Sequence, residues 1–141
     1  MKLIKLLAVP VISILTVVGL TTTASATVTG LSFNSPAPLF KGITEVTGSV
    51  TCDPTTDVST SVNVDIIQAQ GRQILQALGV SGSITCTGTP QSWTVVANAI
   101  PGQELKPGSA SILVDATNMN FTSSDSIAGQ IRLTPVRPKK P

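Results

Sequence analysis

The stretch VTGSVTC, at residues 46–52, decides the fold, because apolar or small side chains alternate in it with polar ones. One face of an extended chain would carry Val46, Gly48, Val50 and Cys52. A period of two is typical of a strand that is buried on one side. A closely similar phrase, VSGSITC, occupies residues 80–86, and the two phrases contain the only cysteines of the chain. We therefore expect two equivalent strands that each end in an inward-facing cysteine.

The same alternation recurs along the chain and indicates an all-β domain. Apolar or small residues occupy every second position in four more runs, at residues 62–66, 93–99, 110–116 and 127–133. Pairs such as Asp53-Pro54, Pro101-Gly102 and Pro107-Gly108, which are typical of turns, separate these runs. Residues 73–78 are ambiguous between a helical turn and a strand, although Gly71 before them favours a hairpin. Six or seven short strands of this kind predict an antiparallel β-sandwich.

The beginning of the chain has the features of a secretory signal peptide. Lys2 and Lys5 precede an apolar run at residues 6–20, and the sequence A-S-A follows at residues 24–26. This run is shorter than the ~20 residues that span a bilayer, which argues against a membrane anchor. We expect a secreted protein, extracellular or associated with the cell envelope, that does not span the membrane after cleavage. The expected division of the chain is a signal peptide at 1–26, a β-sandwich domain at 27–134 and a basic, Pro-rich tail at 135–141.

The two cysteines, Cys52 and Cys86, are expected to form a structural disulfide. Export to an oxidising compartment and an even cysteine count both favour a bridge. A redox pair would favour C-x-x-C spacing, and a zinc site would need more Cys or His ligands than this chain provides. Closing a loop of this length stabilises the folded state by about 3–4 kcal/mol on the chain-entropy model.

The inward-facing positions predict a core that surrounds the disulfide. Expected core residues are Trp93, Val50, Ile84, Val64, Ile112 and Val114. Paired cysteines on facing sheets, with a tryptophan nearby, are a feature of immunoglobulin domains. This chain departs from that order, because Trp93 follows both cysteines. The expected fold class is therefore an all-β, immunoglobulin-like antiparallel β-sandwich of about seven strands with one disulfide.

Residues 45–116 contain the motifs V-x-G-x-V-x-C, C-x-G-T and W-x-V. They also contain Gln68 and Gln70 before Gly71, and K-P-G-x-A at residues 106–110. In these motifs the chain resembles small secreted immunoglobulin-like proteins of Gram-positive bacteria, especially actinobacteria. The resemblance implies a β-sandwich and export, and it carries no assigned activity. The function is therefore sought in the residues themselves.

Composition argues against catalysis. The chain contains no histidine, which excludes a Ser–His–Asp or Cys–His site within it. The acidic residues, among which a catalytic pair is formally available, are Glu45, Asp53, Asp57, Asp65, Glu104, Asp115 and Asp125. Asp53 and Asp57 offer oxygen ligands for calcium, but two carboxylates without a glycine-pinned loop favour a plain turn. We expect no enzyme, no cofactor and no metal.

The C-terminal tail offers the sharpest functional signal. Without the signal peptide the chain has seven basic and seven acidic residues, and four of the basic ones lie in the last ten residues. Three prolines favour an extended polyproline conformation there. Arg137, Lys139 and Lys140 are therefore candidate contacts for cell-wall or other anionic surface polymers, although a disordered, solubilising end is the plainer alternative. The acidic body and few aromatic residues argue against nucleic acid.

Three functions are compatible with these features. The first is a secreted, non-catalytic binding or structural module, whose partner is an envelope polymer or another protein. The second is an extracellular carrier of a small apolar ligand, because residues 27–36, TVTGLSFNSP, resemble the opening of actinobacterial antibiotic chromoproteins, from which one disulfide instead of two is a departure. Ile67, Leu113 and Met119 are expected on outer faces, where they would line such a site or dock a partner. The third is a protease inhibitor that presents the loop at residues 87–92.

Overall fold

The computed structural model describes residues 28–54, 59–119 and 123–137. These residues form nine strands and no helix. The strands are β1 (Val28–Phe33), β2 (Ala37–Phe40), β3 (Ile43–Cys52), β4 (Ser59–Gln70), β5 (Gln73–Val80), β6 (Ile84–Thr85), β7 (Gln91–Ala99), β8 (Gly108–Asn118) and β9 (Ser124–Pro135). The predicted signal peptide at 1–26 lies outside the described residues, and β9 ends at Pro135, the first residue of the predicted tail.

Alternating burial along the long strands builds the core. In β4, for example, Val62, Val64 and Ile66 are buried, while the residues between them face outward. Because successive side chains of a strand point to opposite sides, β-branched residues at every second position form one continuous apolar layer. Of the core residues predicted from the sequence, Val50, Val64, Trp93, Ile112 and Val114 are buried, and Ile84 is half-buried.

Seven of the strands form a closed ring. Neighbouring strands pair in the order β3, β2, β9, β8, β4, β5, β7, and β7 pairs again with β3. Two short seams complete the ring: β5 pairs with β7 at Ala77 and Leu78, and β2 runs parallel to β9 from Ala37 to Leu39. β1 adds to the outer part of β3, and β6 adds to β4.

The closed ring corrects the prediction of a two-layered antiparallel sandwich. All strands belong to one hydrogen-bonded sheet, which closes into a barrel, and the pairing of β2 with β9 is parallel. The physical reason is that β5 pairs along its whole length with β4 and, at Ala77 and Leu78, also with β7, while β2 pairs with both β3 and β9. Strands shared in this way join what would otherwise be two separate sheets.

The predicted disulfide between Cys52 and Cys86 is present. Both cysteines are buried, and the bridge joins the end of β3 to the residue that follows β6. The hydroxyl of buried Thr60, on β4, lies 3.6 Å from the Cys52 sulfur and 3.4 Å from the Cys86 sulfur. The amide of Gly88 donates to the Cys52 carbonyl at 3.0 Å, which fixes the loop after the bridge. The disulfide and the Thr60 hydroxyl beside it therefore hold the end of β3, the start of β4 and the residue after β6 together.

The second cysteine phrase is not a strand equivalent to the first, contrary to the prediction. β5 ends at Val80, which is 61% exposed, and only Ile84 and Thr85 form β6. β5 and β6 lie along the same partner strand, but Asn63 pairs with Val80 whereas Thr60 pairs with Ile84. One extra residue is therefore inserted between them, as in a β-bulge. An insertion of one residue reverses which side chains face inward. The alternation of inward and outward side chains in β5 therefore does not continue into β6.

Two motifs that the sequence places 38 residues apart meet at a buried amide. Gln68 is 1% exposed, and its side-chain nitrogen donates to the Lys106 carbonyl at 2.8 Å. Its side-chain oxygen accepts from the Lys106 amide, also at 2.8 Å. A buried amide paired on both sides contributes to stability because neither polar atom is left without a partner. Gln68 therefore fixes the turn that leads into β8.

Candidate functional site

Four neighbouring strands, β5, β4, β8 and β9, present exposed apolar side chains on the outside of the ring. We call this surface the apolar face, and its apolar members are Ile67, Leu78, Val80, Leu113 and Ala128. The register of the strands brings them together: Leu78 and Leu113 flank the same residue of β4, and Leu113 pairs with Ala128. Ile67 is 43% exposed and Leu113 is 42% exposed. Contiguous exposed apolar side chains mark interaction sites more often than scattered ones do.

Two carboxylates and one guanidinium accompany the apolar side chains on this face. Asp65 lies between Leu78 and Leu113, and both of its oxygens accept from the Gln76 amide nitrogen, at 3.0 and 3.1 Å. Asp115 lies two positions beyond Leu113 on β8, and both carboxylates are half-buried. Arg132 is exposed on β9, opposite Ser109 at the other end of the face. The face therefore has Asp115 at one end, Arg132 at the other end, and an apolar centre that contains Asp65.

Two shallow depressions adjoin on the apolar face. The larger has a volume of about 540 Å³ and includes Ile67, Leu113 and Ala128 in its lining. The second, of about 370 Å³, includes Leu78 and Val80. Asp65 contributes to both, so they form one continuous relief on the surface. This relief lies on the outside of the ring, and Ile67 and Leu113, expected as lining of a carrier's site, are part of it.

Part of the outer surface of β1, β3 and β7 differs in character, and we call this part the hydroxyl face; Ile43 and Val96, which are 42% and 48% exposed, lie on the same strands outside it. Its members are Ser32, Thr47, Ser49, Ser92 and Thr94. The hydroxyls of Ser32 and Ser49 lie 2.7 Å apart, and the Asn34 amide donates to the Thr47 hydroxyl at 2.9 Å. Hydroxyl side chains that pair with each other and with water leave little apolar surface for a partner. The apolar face, on which Leu78 is 48% and Val80 is 61% exposed, instead offers apolar surface that gains free energy on burial.

Beneath the hydroxyl face, Trp93 lies against Gly48. The two residues pair across β3 and β7, and a side chain at Gly48 would overlap both the indole ring and the Ser32 carbonyl oxygen. The indole nitrogen of Trp93 is buried and has no hydrogen-bond partner among the described residues. The tryptophan is therefore held by the shape of its surroundings more than by a polar contact.

The tail residues proposed as anionic contacts lie mostly outside the described residues. Lys139 and Lys140 fall there, whereas Arg137 is described and is exposed. The chain is anchored up to the residue before it, because the Val136 amide donates to the Leu39 carbonyl at 3.0 Å. Arg137 thus directly follows a residue whose backbone is bonded to the ring.

The carboxylates do not assemble into a metal site within the described part of the chain. No group of three or more potential ligands occurs there. Asp53 is exposed at the end of the first phrase, and Asp57, its proposed partner in calcium binding, lies outside the described residues. Among the described carboxylates, Asp65 and Asp115 share a face, at diagonal positions of neighbouring strands where Cα atoms are ~7–8 Å apart. They lie on an open surface without an enclosing site.

The loop proposed as an inhibitor segment, residues 87–92, is a short turn held by its own side chains. The Thr87 hydroxyl lies 2.8 Å from the Thr89 hydroxyl and accepts from the Gln91 amide at 2.8 Å. Ser92 already belongs to β7. Met119, predicted on an outer face with Ile67 and Leu113, is 56% exposed but lies after the end of β8 and not on the apolar face.

No described residue belongs to a helix with the length and apolarity needed to cross a bilayer. No family model and no curated protein matches the chain. Among solved structures, the chain is similar to the major subunit of aggregative adherence fimbriae type I from Escherichia coli, AggA. That likeness covers 79% of this chain and 96% of the other, at 14% identity and a TM-score of 0.39. At this level the likeness does not establish a shared fold, and the surfaces described above remain the basis for function.

Proposed function

We propose that this protein is a secreted, non-catalytic binding or structural module that acts at the cell envelope or in the extracellular space. The observation that carries the proposal is the buried disulfide between Cys52 and Cys86. Structural disulfides form and persist in oxidising compartments, and small exported domains use them to supplement a limited core. We also propose that the protein is related to the small secreted immunoglobulin-like proteins of Gram-positive bacteria that its motifs resemble.

The absence of histidine from the sequence and the open position of the paired carboxylates support a role without catalysis. General acid–base chemistry relies on groups that are enclosed and poised near neutral pH. Asp65 instead accepts hydrogen bonds from Gln76 on an outer sheet surface. The proposed activity is therefore contact through surfaces and not turnover of a substrate.

The mass of the native protein tests the proposal. We expect intact mass spectrometry of protein recovered from the culture medium and envelope fraction to give a chain that begins at Thr27 and is two hydrogens lighter than its reduced form. Retention of the protein inside the cell, with both cysteines reduced, would refute export. A small apolar molecule that stays bound in the native spectrum and leaves on denaturation would favour the carrier hypothesis instead, with the depression beside Ile67 and Leu113 as its first candidate site.

The contribution of the basic tail is tested on isolated cell envelopes. Substituting Arg137, Lys139 and Lys140 with Ser removes the charges but keeps Val136, whose amide bonds to the ring. We expect retention on envelopes to fall and the remaining binding to lose its sensitivity to salt, since exposed charges act through screened electrostatics. Arg72→Ser, which removes an exposed charge from the tip of the β4–β5 hairpin, is the matched control. Equal retention of all three proteins would exclude the tail as the contact.

A further inference from the structure

We propose that the apolar face is the contact surface of a symmetric dimer, in which two copies of this chain pack these strands against each other. The contact would cover Ile67, Leu78, Val80 and Leu113, each at least 42% exposed in the single chain. Outward positions of a sheet that faces water are usually polar, as they are on the hydroxyl face. Apolar side chains clustered at such positions gain free energy when a second surface removes them from water.

The charges at the two ends of the apolar face are arranged so that one end is complementary to the other. Arg132 is level with Ser109, and Asp115 is level with Ser126. These two levels are six positions apart on β8, roughly 20 Å, and midway between them lies Ile112. We place a two-fold axis between the two packed faces, perpendicular to the strands and level with this midpoint. This axis reverses the strand direction of the second copy. It therefore brings Arg132 of each copy near Asp115 of the other.

The same axis matches the apolar centres. Ile67 on β4 pairs with the residue before Ile112, and Leu113 on β8 is the residue after Ile112. The two side chains therefore lie on either side of the midpoint and on neighbouring strands. The rotation therefore places Ile67 of one copy beside Leu113 of the other, over the depression that both residues line. Asp65, which would be covered, keeps the Gln76 amide as hydrogen-bond donor to both of its oxygens. A carboxylate that retains its donor costs less to bury than one left without a partner.

A second copy fits this surface better than an unrelated partner of a single charge. A basic peptide would complement Asp65 and Asp115 but would meet the like charge of Arg132. An acidic peptide would complement Arg132 but would meet the like charges of Asp65 and Asp115. Like-charge contacts of this kind disfavour the wrong partner. An isologous contact, in which the same patch serves both copies, pairs both signs at once.

The dimensions of the face predict a weak dimer. Four strands ~4.8 Å apart and a length of ~20 Å give each copy a contact of roughly 400 Å². Standard stable interfaces bury about 800 Å² per partner. We therefore expect association that depends on concentration, with monomers predominant in dilute solution.

The inference goes beyond the proposed function, because it is tested on the purified chain in solution and does not depend on where the protein acts. Sedimentation velocity of the oxidised chain beginning at Thr27, over a wide range of concentration, should show a monomer–dimer equilibrium. Arg132→Asp, at an exposed position, should raise the dissociation constant about tenfold or more, since each dimer has two such contacts. Asp115→Arg should do the same. The double variant should restore association toward the original value.

Two further variants separate the contact from effects on folding. Leu113→Ser should weaken association at any salt concentration, whereas Thr94→Asp, on the hydroxyl face, should leave it unchanged. The urea midpoint of unfolding is also measured for each variant in dilute solution. A variant whose midpoint equals that of the original chain is folded, so that a change in its association reports on the contact. A chain that stays monomeric at all concentrations overturns the proposal. So does a dimer that Arg132→Asp and Leu113→Ser leave intact, or one that the double charge exchange fails to restore.

Discussion

The phrases at residues 46–52 and 80–86 differ only by Ser for Thr and Ile for Val, yet they have different structures. The first lies within β3 and is paired on both sides, with β1 and with β7. The second begins at the end of β5, passes through a bulge and resumes in the two residues of β6. Alternation in a sequence determines which residues can share a face. The pairing of neighbouring strands decides whether that face is turned inward.

The largest difference between the phrases is expected at their central glycines. Gly48→Ala places a methyl group against the Ser32 carbonyl oxygen and the Trp93 ring. We expect it to lower the free energy of unfolding by about 3 kcal/mol, because an overfilled core must shift backbone and ring together. Gly82→Ala is the matched control, since no atom lies within 4 Å of the added carbon. Urea unfolding followed by Trp93 fluorescence measures both, and equal effects would show that the phrases are packed alike.

The first residues of the two phrases test burial without a change of backbone. Val46 is fully buried opposite Val95, whereas Val80 is 61% exposed. Val46→Ala should destabilise the fold by about 2 kcal/mol through lost contacts and the cavity left behind. Val80→Ala should remain within ~0.5 kcal/mol, as surface substitutions usually do. Both free energies of unfolding are measured in dilute solution, where the apolar face has no partner. A decrease of more than about 1.5 kcal/mol in Val80→Ala would contradict the exposed position of Val80.

The smallest expected difference concerns the second position of each phrase. The Ser81 hydroxyl accepts from the Val62 amide at 2.9 Å, so a side chain here replaces the backbone acceptor that the bulge displaces. Ser81→Ala should cost about 1 kcal/mol, since a backbone donor loses its partner. Thr47→Ala removes an exposed hydroxyl that accepts from Asn34 and should change stability less. Hydrogen exchange of the Val62 amide provides a local readout, and unchanged protection in Ser81→Ala would remove the hydroxyl from this role.

The sequence predicted the strands where one alternation continues through a whole strand. Val62, Val64 and Ile66 are inward along β4, and the turn at Gly71 produces the β4–β5 hairpin that its position favoured. The disulfide was also predictable, because a chain with two cysteines has only one possible internal pairing. The bulge was not, because the residues at 81–83 are small and polar and match either phase of the alternation. The closure of the ring was equally hidden, since the seams at Ala77 and Ala37 are short and join distant parts of the chain.

The candidate site was predictable only in part. Ile67 and Leu113 were expected on outer faces from their position in the alternation, and they lie together because β4 and β8 are neighbours. Sequence alone did not pair Leu78 with them, because residues 73–78 had no certain phase. The juxtaposition of Asp65, Asp115 and Arg132 follows from the pairing of three strands that are far apart in sequence. Such a surface becomes visible only when the register is known.

The parallel seam between β2 and β9 also bears on how the chain is made. Thr134, near the end of β9, donates to the Ala37 carbonyl across 97 positions of sequence. The ring therefore cannot close before nearly the whole chain is available, and contacts between distant segments form slowly. A protein with this topology cannot complete its ring while its last strand is still being synthesised. It acquires its shape only when its last strand has arrived.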